Sequence, residues 1–216
     1  MTLLDIDNNL IPRVRNLIDE VAHDAMEDFS SDLNAEIKQS IIMAAQKLKR
    51  ELGRQFLLPV SYNASVTGNS DGTGIINLPD DYGELAEFQM RGWLQPVTDL
   101  IEPGSLEAKQ QMHPWTRGSA SKPVAMIILK DGNNMIKYYS AAKKAGAYDH
   151  TLDHFDYLPV IDDDTDMLPI VDNMYDILLY QSAALLMLSK GETQIAEQFA
   201  SMGMTQPQPA DAATNN

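Results

Sequence analysis

The sequence of 216 residues contains no cysteine. A disulfide framework, a thiolate metal site and redox chemistry at cysteine are therefore excluded. No stretch reaches the roughly 18 consecutive apolar residues needed to cross a bilayer. Residues 2–7 also lack the basic and apolar regions of an export signal. These absences predict a soluble protein with no membrane partner.

Basic residues are scarce, with 16 Lys and Arg against 31 Asp and Glu, for a net charge of −15. The imbalance is strongest in residues 161–216, which contain one lysine and nine acidic residues. Sequence-independent binding to nucleic acid depends on neutralising phosphates, so this charge opposes it. An acidic surface of this kind either keeps the protein soluble, repels DNA or meets a basic partner.

Two helices are predicted near the N-terminus. The first begins around Pro12, and its apolar residues recur at helical spacing as far as Phe29. The second has Asp32 as its N-cap and ends at Gly53, with an apolar residue every three or four positions between them.

A third helical signal lies in residues 167–204. Its apolar residues are predicted to form one buried stripe, with Gly191 ending the helix. The stripe consists of Ile170, Met174, Ile177, Leu178, Ala184, Leu185 and Leu188.

The middle of the chain changes to short runs typical of β-strands. One hairpin is predicted from 57–66 and 75–78, joined by a mobile tip that contains Gly68, Gly72 and Gly74. The tip lacks the Gly-Lys-Ser/Thr ending of a phosphate-binding loop. A second hairpin is predicted from 124–129 and 135–139 around a turn at 130–134.

Together these patterns predict an α+β fold. An N-terminal helix pair (1–58) and a C-terminal helix (167–202) form a bundle, and a β-rich insertion with two hairpins (59–166) separates them. Residues 203–216 are rich in Gln, Pro, Ala, Thr and Asn, and are predicted to be a disordered tail.

No catalytic, cofactor-binding or metal-binding residues are predicted. His150 and His154 would share a face of a helix, but the region between Gly146 and Pro159 is typical of a loop or strand, where this spacing does not converge. Asp162, Asp164 and Asp166 match the first ligands of a calcium-binding loop. Met167 and Asn173, however, occupy the positions that require Gly and Glu, so a solvated acidic loop is expected.

Several short segments follow one another in an informative order. They are 14–19, the Ala44-Ala45 pair in the second helix, 78–82 (Leu-Pro-Asp-Asp-Tyr), 122–123, 137–139, 180–192 and 196–199. Their order and spacing over most of residues 10–202 resemble the head-to-tail adaptor, or connector ring, proteins of tailed bacteriophages, particularly of short-tailed and crAss-like phages.

This resemblance implies a structural subunit that assembles as a ring, usually a dodecamer, beneath the portal. The implied partners are further copies of the chain, the portal protein and other connector or tail proteins. Double-stranded DNA would pass through the ring without specific binding. The implied location is the head-tail junction of the virion, after assembly in the host cytoplasm.

The hairpin tips are the predicted interaction surface. Their residues are Asn69, Ser70, Asp71, Gly72, Asp131, Gly132 and Asn133. Because 69–73 is expected to be a turn, its deletion is predicted to preserve folding and weaken docking. Two alternatives stay open: a metal-assisted hydrolase that uses His150, His154 and nearby aspartates, and an assembly or interaction protein outside the particle.

Overall fold

A computed structural model describes residues 3–21, 33–130 and 132–204. The chain forms two compact units. The helical unit consists of 1–58 and 161–216, and the strand-rich unit consists of 59–160. The presence of helices and strands confirms the α+β class.

The described residues of the helical unit form four α-helices, one π-helical turn, two 3-10 turns and one short strand pair. Its elements are β1 (Leu4–Asp5), a π-helical turn (Ile6–Leu10), α1 (Ile11–Val21), α2 (Leu33–Leu52), a 3-10 turn (Gly53–Gln55), β11 (Met167–Leu168), a 3-10 turn (Asp172–Met174), α4 (Tyr175–Ser189) and α5 (Thr193–Met204).

The second predicted helix is confirmed as α2. Ile37, Ile41 and Ala44 lie on its buried face, as the apolar spacing requires. The helix ends where Gly53 adopts a φ of +58°, a conformation that glycine tolerates without steric cost. Its predicted N-cap, Asp32, lies outside the described residues.

The first predicted helix is confirmed in its first part. It is preceded by the π-helical turn, where the Asp5 side chain accepts a hydrogen bond from the Asn8 backbone N–H at 2.9 Å. Ile11–Val21 then forms α1, with Val14 and Ile18 buried. The predicted continuation to Phe29 lies outside the described residues.

The third helical signal begins later than its apolar spacing predicts. Leu168 pairs with Leu4 in the β1–β11 ladder, and Ile170 forms a bridge with Leu57. Pro169 explains the difference, because a proline lacks a backbone N–H and favours an extended residue before it. The Pro169 carbonyl instead accepts a hydrogen bond from the Leu58 N–H at 2.7 Å. The helix itself, α4, starts only at Tyr175.

The prediction of a single buried stripe on α4 is wrong at Leu188, which is 56% exposed. Helices α1, α2 and α5 all pack against α4. Residues outside the predicted stripe, such as Ser182 and Met187, are therefore buried as well. A helix that is apolar on most sides has no single buried face for its spacing to reveal.

The last helix, α5, follows Gly191, which has a φ of +85°. Phe199 is fully buried, and a Cβ at Gly203 would lie 3.2 Å from the Cβ of Tyr180, so the glycine permits close packing on α4. Gly203 and Met204 thus belong to a helix and not to the predicted tail. The rest of that tail, 205–216, lies outside the described residues. None of the described helices is long and apolar enough to span a membrane.

The strand-rich unit contains three sheets, ordered β2-β10-β5, β3-β4-β7-β6 and β8-β9. Its elements are β2 (Val60–Ser61), β3 (Val66–Gly68), β4 (Gly74–Asn77), β5 (Tyr82–Met90), α3 (Leu106–Gln110), β6 (Ala125–Lys130), β7 (Asn133–Tyr138), β8 (Ala142–Lys144), β9 (Ala147–Asp149) and β10 (Leu152–Pro159).

The two predicted hairpins correspond to β3–β4 and β6–β7, which both pair in the antiparallel sense. The first is shorter than its sequence pattern, since 57–66 divides into a bridge at Leu57, then β2, then β3. Strand β4 also pairs with β7, so the two hairpins form one four-stranded sheet.

The core of the strand-rich unit is aromatic. Phe88, Phe155 and Tyr138 are almost fully buried, and Trp93 is 4% exposed. The Phe88 and Trp93 ring centroids are 5.3 Å apart, and the Trp93 indole N–H donates to the Ser140 carbonyl at 2.6 Å. Strands β5 and β10 carry much of this core, although about 60 residues separate them in the sequence.

Candidate functional site

The first hairpin tip, 69–73, is an ordered turn. The Asn69 N–H donates to the Thr73 carbonyl at 2.8 Å, and the Gly72 N–H donates to the Asn69 carbonyl at 3.2 Å. The Asn69 side-chain amide also donates to the Thr73 hydroxyl oxygen at 2.9 Å. Asn69, Ser70 and Asp71 are exposed, whereas Gly72 and Thr73 are buried.

Asp71 organises the tip. Its Oδ1 accepts hydrogen bonds from the Thr73 hydroxyl at 2.7 Å and from the Thr73 N–H at 3.1 Å. Its Oδ2 lies 3.0 Å from Arg117 Nη1. The bonds from Thr73, together with Arg117, lower the pKa of the Asp71 carboxyl, because they favour its charged form.

The tip is also tied to the rest of the strand-rich unit. His150 Nε2 donates to the Asn69 carbonyl at 3.0 Å, which leaves Nδ1 to accept from the Tyr138 hydroxyl at 2.6 Å. The Gly72 carbonyl accepts from the Ala141 N–H at 3.0 Å. A Cβ at Gly72 would lie 2.6 Å from the Tyr148 ring.

These contacts correct the prediction that the tip is mobile and can be deleted without affecting the fold. Deletion of 69–73 would remove the buried Thr73 and leave the Tyr138–His150 pair without its backbone acceptor. Substitution of an exposed residue such as Ser70 tests the tip without this damage.

At the second tip, Lys130 pairs directly with Asn133. Gly132 has a φ of +84°, as expected of a tight hairpin turn. Gly132 and Asn133 are exposed, and Asp131 lies outside the described residues.

The structure does not bring the two predicted tips together. In the β4–β7 ladder, Gly74 pairs with Tyr138, whereas Asn77 pairs with Met135. The 69–73 tip therefore lies at one end of the four-stranded sheet, and residues 132–133 lie at the other. If both tips bind partners, they present two separate surfaces.

The structure also separates the two histidines that the hydrolase alternative would use. The His150 ring is engaged by Tyr138 and Asn69, whereas His154 lies on β10. His154 Nε2 lies 3.3 Å from Glu87 Oε1, and Asp156 completes a group whose potential ligand atoms all lie within 4.8 Å of one another. Sequence reasoning missed Glu87, because only the pairing of β5 with β10 brings it close.

No sequence pattern assigns a role to Trp115, yet its side chain is 97% exposed. Its loop has a fixed base, where Gln111 is 5% exposed and its Oε1 accepts from the Gly118 N–H at 2.8 Å. Arg117 Nε donates to the Gln111 carbonyl at 3.0 Å. Tryptophan is enriched among the residues that dominate protein interfaces, so Trp115 is a candidate contact residue. Its position in a polar loop after Pro114 is the signal that the sequence offers.

The aspartates at 162–166 form a hydrogen-bonded turn. Asp162 Oδ1 accepts from the Asp164 N–H at 3.2 Å and from the Thr165 hydroxyl at 3.0 Å. Asp166 pairs with Lys38 at 2.7 Å. Asp162 thus stabilises the turn, and Asp166 connects this segment to α2.

A comparison with family models finds one match over nearly the whole chain. The model described as SU10 adaptor protein matches residues 8–213. No curated protein matches the chain at a significant level.

Proposed function

The chain belongs to the SU10 adaptor protein family, and from this premise we propose that it forms a ring that joins the portal of a phage head to the tail. Membership makes it a bacteriophage adaptor, a structural component of the virion that interacts with other head-tail proteins. The ring, the portal contact and the DNA channel are our proposal, as is a copy number of twelve.

The observation that carries the proposal is the extent of the family match, because residues 8–213 include all of the strand-rich unit and most of the helical unit. The family is a structural one. A connector needs surfaces that bind neighbours and requires no catalytic residues.

Ring assembly from a single chain requires a heterologous contact, in which one surface of a subunit meets a different surface of the next. The separation of the two tips supports such an arrangement. The exposed residues at 69–71 would contact one neighbour in the particle, and those at 132–133 would contact another.

Trp115 is a further candidate for the contact between adjacent copies. An exposed indole gains substantially from burial at an interface, and its ordered base reduces the entropy lost on binding. Leu106 and Met112, both 72% exposed, lie close to it in sequence and extend the apolar character of this segment.

The net charge of −15 suits a channel through which DNA passes without adhering, because like charges repel. We propose that part of this acidic charge lines the channel. Purified rings should therefore retain no DNA at low ionic strength, where salt screens the repulsion least.

Two measurements test the function. Two-dimensional class averages of the purified protein, or of particles that contain it, should show rotationally symmetric rings, and mass spectrometry should find the chain in purified particles. A chain found only outside the particle would contradict the connector and favour the assembly-protein alternative.

Two substitutions test the proposed surfaces. Trp115→Ala should weaken ring formation, and Ser70→Arg should weaken docking to a neighbouring protein, while both variants keep the wild-type melting temperature. Met202→Ala, which shortens a 42% exposed side chain in the helical unit, is the control. Normal rings and particles from both variants would show that Trp115 and Ser70 do not contribute to the interfaces.

A further inference from the structure

Three side chains with metal-binding atoms converge on one face of the β5–β10 pair. Glu87 lies directly opposite Asp156 across the ladder, and His154 precedes Asp156 by two residues, which places all three on the same face. Phe88 and Phe155 point to the opposite face and into the aromatic core. The backbone is fixed by the pairing, so the cluster has a rigid base.

The arrangement is unfavourable without a cation. Like charges directly opposite each other on antiparallel strands repel, and Glu87 and Asp156 form such a pair. Asp156 Oδ1 is closed to solvent and has no hydrogen-bond partner. Buried polar atoms without a partner are rare in folded proteins, because they lose their hydration without compensation.

His154 does not stabilise the two carboxylates through an ordinary hydrogen bond. Its Nε2 is also closed to solvent and lies 3.3 Å from Glu87 Oε1, but the geometry is not that of a hydrogen bond. One potential ligand atom from each of the three side chains lies within 4.8 Å of the other two. Atoms about 2.0–2.2 Å from a tetrahedrally coordinated Zn²⁺ would be roughly 3.4 Å apart, close to the spacing of Nε2 and Oε1.

The geometry points to a binding site for a divalent transition-metal ion of the Zn²⁺ class, held by His154 Nε2 and one carboxylate oxygen each from Glu87 and Asp156. The imidazole favours zinc-like ions over Ca²⁺ and Mg²⁺, which prefer ligand sets made only of oxygen. Three protein ligands leave a fourth tetrahedral position for water or for a side chain of a neighbouring molecule.

The bound ion would join two strands that are distant in sequence. The ion would hold the edge strand β5 to the central strand β10 of the three-stranded sheet. An ion that binds the folded state and not the unfolded chain raises stability. This role does not depend on the ring, so the site can be tested in the isolated chain.

The test uses the full-length protein, treated with a chelator and then titrated with Zn²⁺ at pH 7.5. We expect saturation at one ion per chain by calorimetry, a higher melting temperature with Zn²⁺, and visible absorption bands when Co²⁺ replaces Zn²⁺. His154→Ala should weaken binding at least tenfold and abolish the shift in melting temperature. Glu87→Gln and Asp156→Asn should each weaken binding, and Glu87→Gln should also raise the melting temperature without metal, because it removes the carboxylate repulsion.

Two controls separate this site from weak binding elsewhere on an acidic protein. His113→Ala removes an exposed imidazole, and Asp164→Asn removes a carboxylate from the acidic turn. Both should bind Zn²⁺ like the wild type. The proposal fails if the wild type shows no saturable binding, or if a folded Glu87→Gln variant binds as tightly as the wild type. Circular dichroism establishes that each variant is folded, and Glu87→Gln keeps the test valid even if His154→Ala does not fold.

Discussion

The helical unit and the strand-rich unit are stabilised by different kinds of side chain. Ten of the fifteen Phe, Tyr and Trp residues lie in 59–160. Apart from Ser40, the buried face of α2 is built from Ile, Leu and Ala, whereas the strand-rich core combines packed rings with hydrogen bonds from Trp93 and Tyr157. Aliphatic packing along a helix follows a period that the sequence displays, but ring contacts between distant strands have no such signature.

The largest expected effect tests the helical unit. Leu178→Asp should lower the free energy of unfolding by more than about 5 kcal/mol, because it places a charge at a position with 0% exposure. Leu188→Asp, on the same helix but 56% exposed, is the matched control and should melt close to the wild type. Thermal unfolding followed by circular dichroism measures both, and equal melting of the two variants would contradict the burial of α4 described above.

A comparable truncation tests the aromatic core. Phe155 is 1% exposed and lies near the rings of Tyr62, Tyr82, Phe88 and Tyr157. Phe155→Ala should cost about 3–5 kcal/mol in denaturant unfolding. Phe155→Leu restores much of the volume but not the ring contacts, so its stability should lie between that of Phe155→Ala and that of the wild type. A Leu variant as stable as the wild type would show that the volume of the side chain matters and the ring contacts do not.

A smaller effect is expected from a single hydroxyl. The Tyr157 hydroxyl donates to Asp81 Oδ1 at 2.7 Å, and burial together with this carboxylate raises the pKa of Tyr157. Tyr157→Phe should cost about 1–2 kcal/mol, because it leaves the Asp81 carboxylate without this donor. Tyr62→Phe retains its ring near Phe155 and provides the comparison. Chemical denaturation that places both variants at wild-type stability would contradict the importance of the polar contact.

The smallest effect concerns pH and the 69–73 tip. The folded-state pKa of Asp71 lies below its ordinary value of 3.8, mainly because the Thr73 hydroxyl donates to it. Its contribution to stability is therefore present above the ordinary pKa and is lost as the pH falls through the folded-state pKa. Asp71→Asn should lower the melting temperature slightly at pH 7 and less at pH 3. A difference that does not depend on pH would rule out this linkage.

The sequence predicted those elements whose signals are local. The α2 spacing, its end at Gly53 and the β6–β7 hairpin could be recognised because each depends on neighbouring residues. The late start of α4 depends on a contact between distant residues, in which the Pro169 carbonyl accepts a hydrogen bond from the Leu58 N–H. The apolar spacing does not reveal this contact.

The candidate sites were less accessible from sequence. Exposed residues at both tips were identified, but not their location at opposite ends of one sheet, which depends on the β4–β7 register. The spacing of the two histidines associates His154 with His150, whereas the structure places His154 beside Glu87 and Asp156. The pairing of β5 with β10 determines this neighbourhood, and no local pattern indicates it.

The discontinuity of the helical unit has a consequence for biosynthesis. Its first 58 residues are translated long before α4, their packing partner, which begins at Tyr175. Residues 59–160 leave the ribosome as an uninterrupted segment that contains all the strands of its own sheets. We therefore expect the strand-rich unit to fold first on the nascent chain. Helices α1 and α2 can pack on α4 only after the last quarter of the protein has been translated.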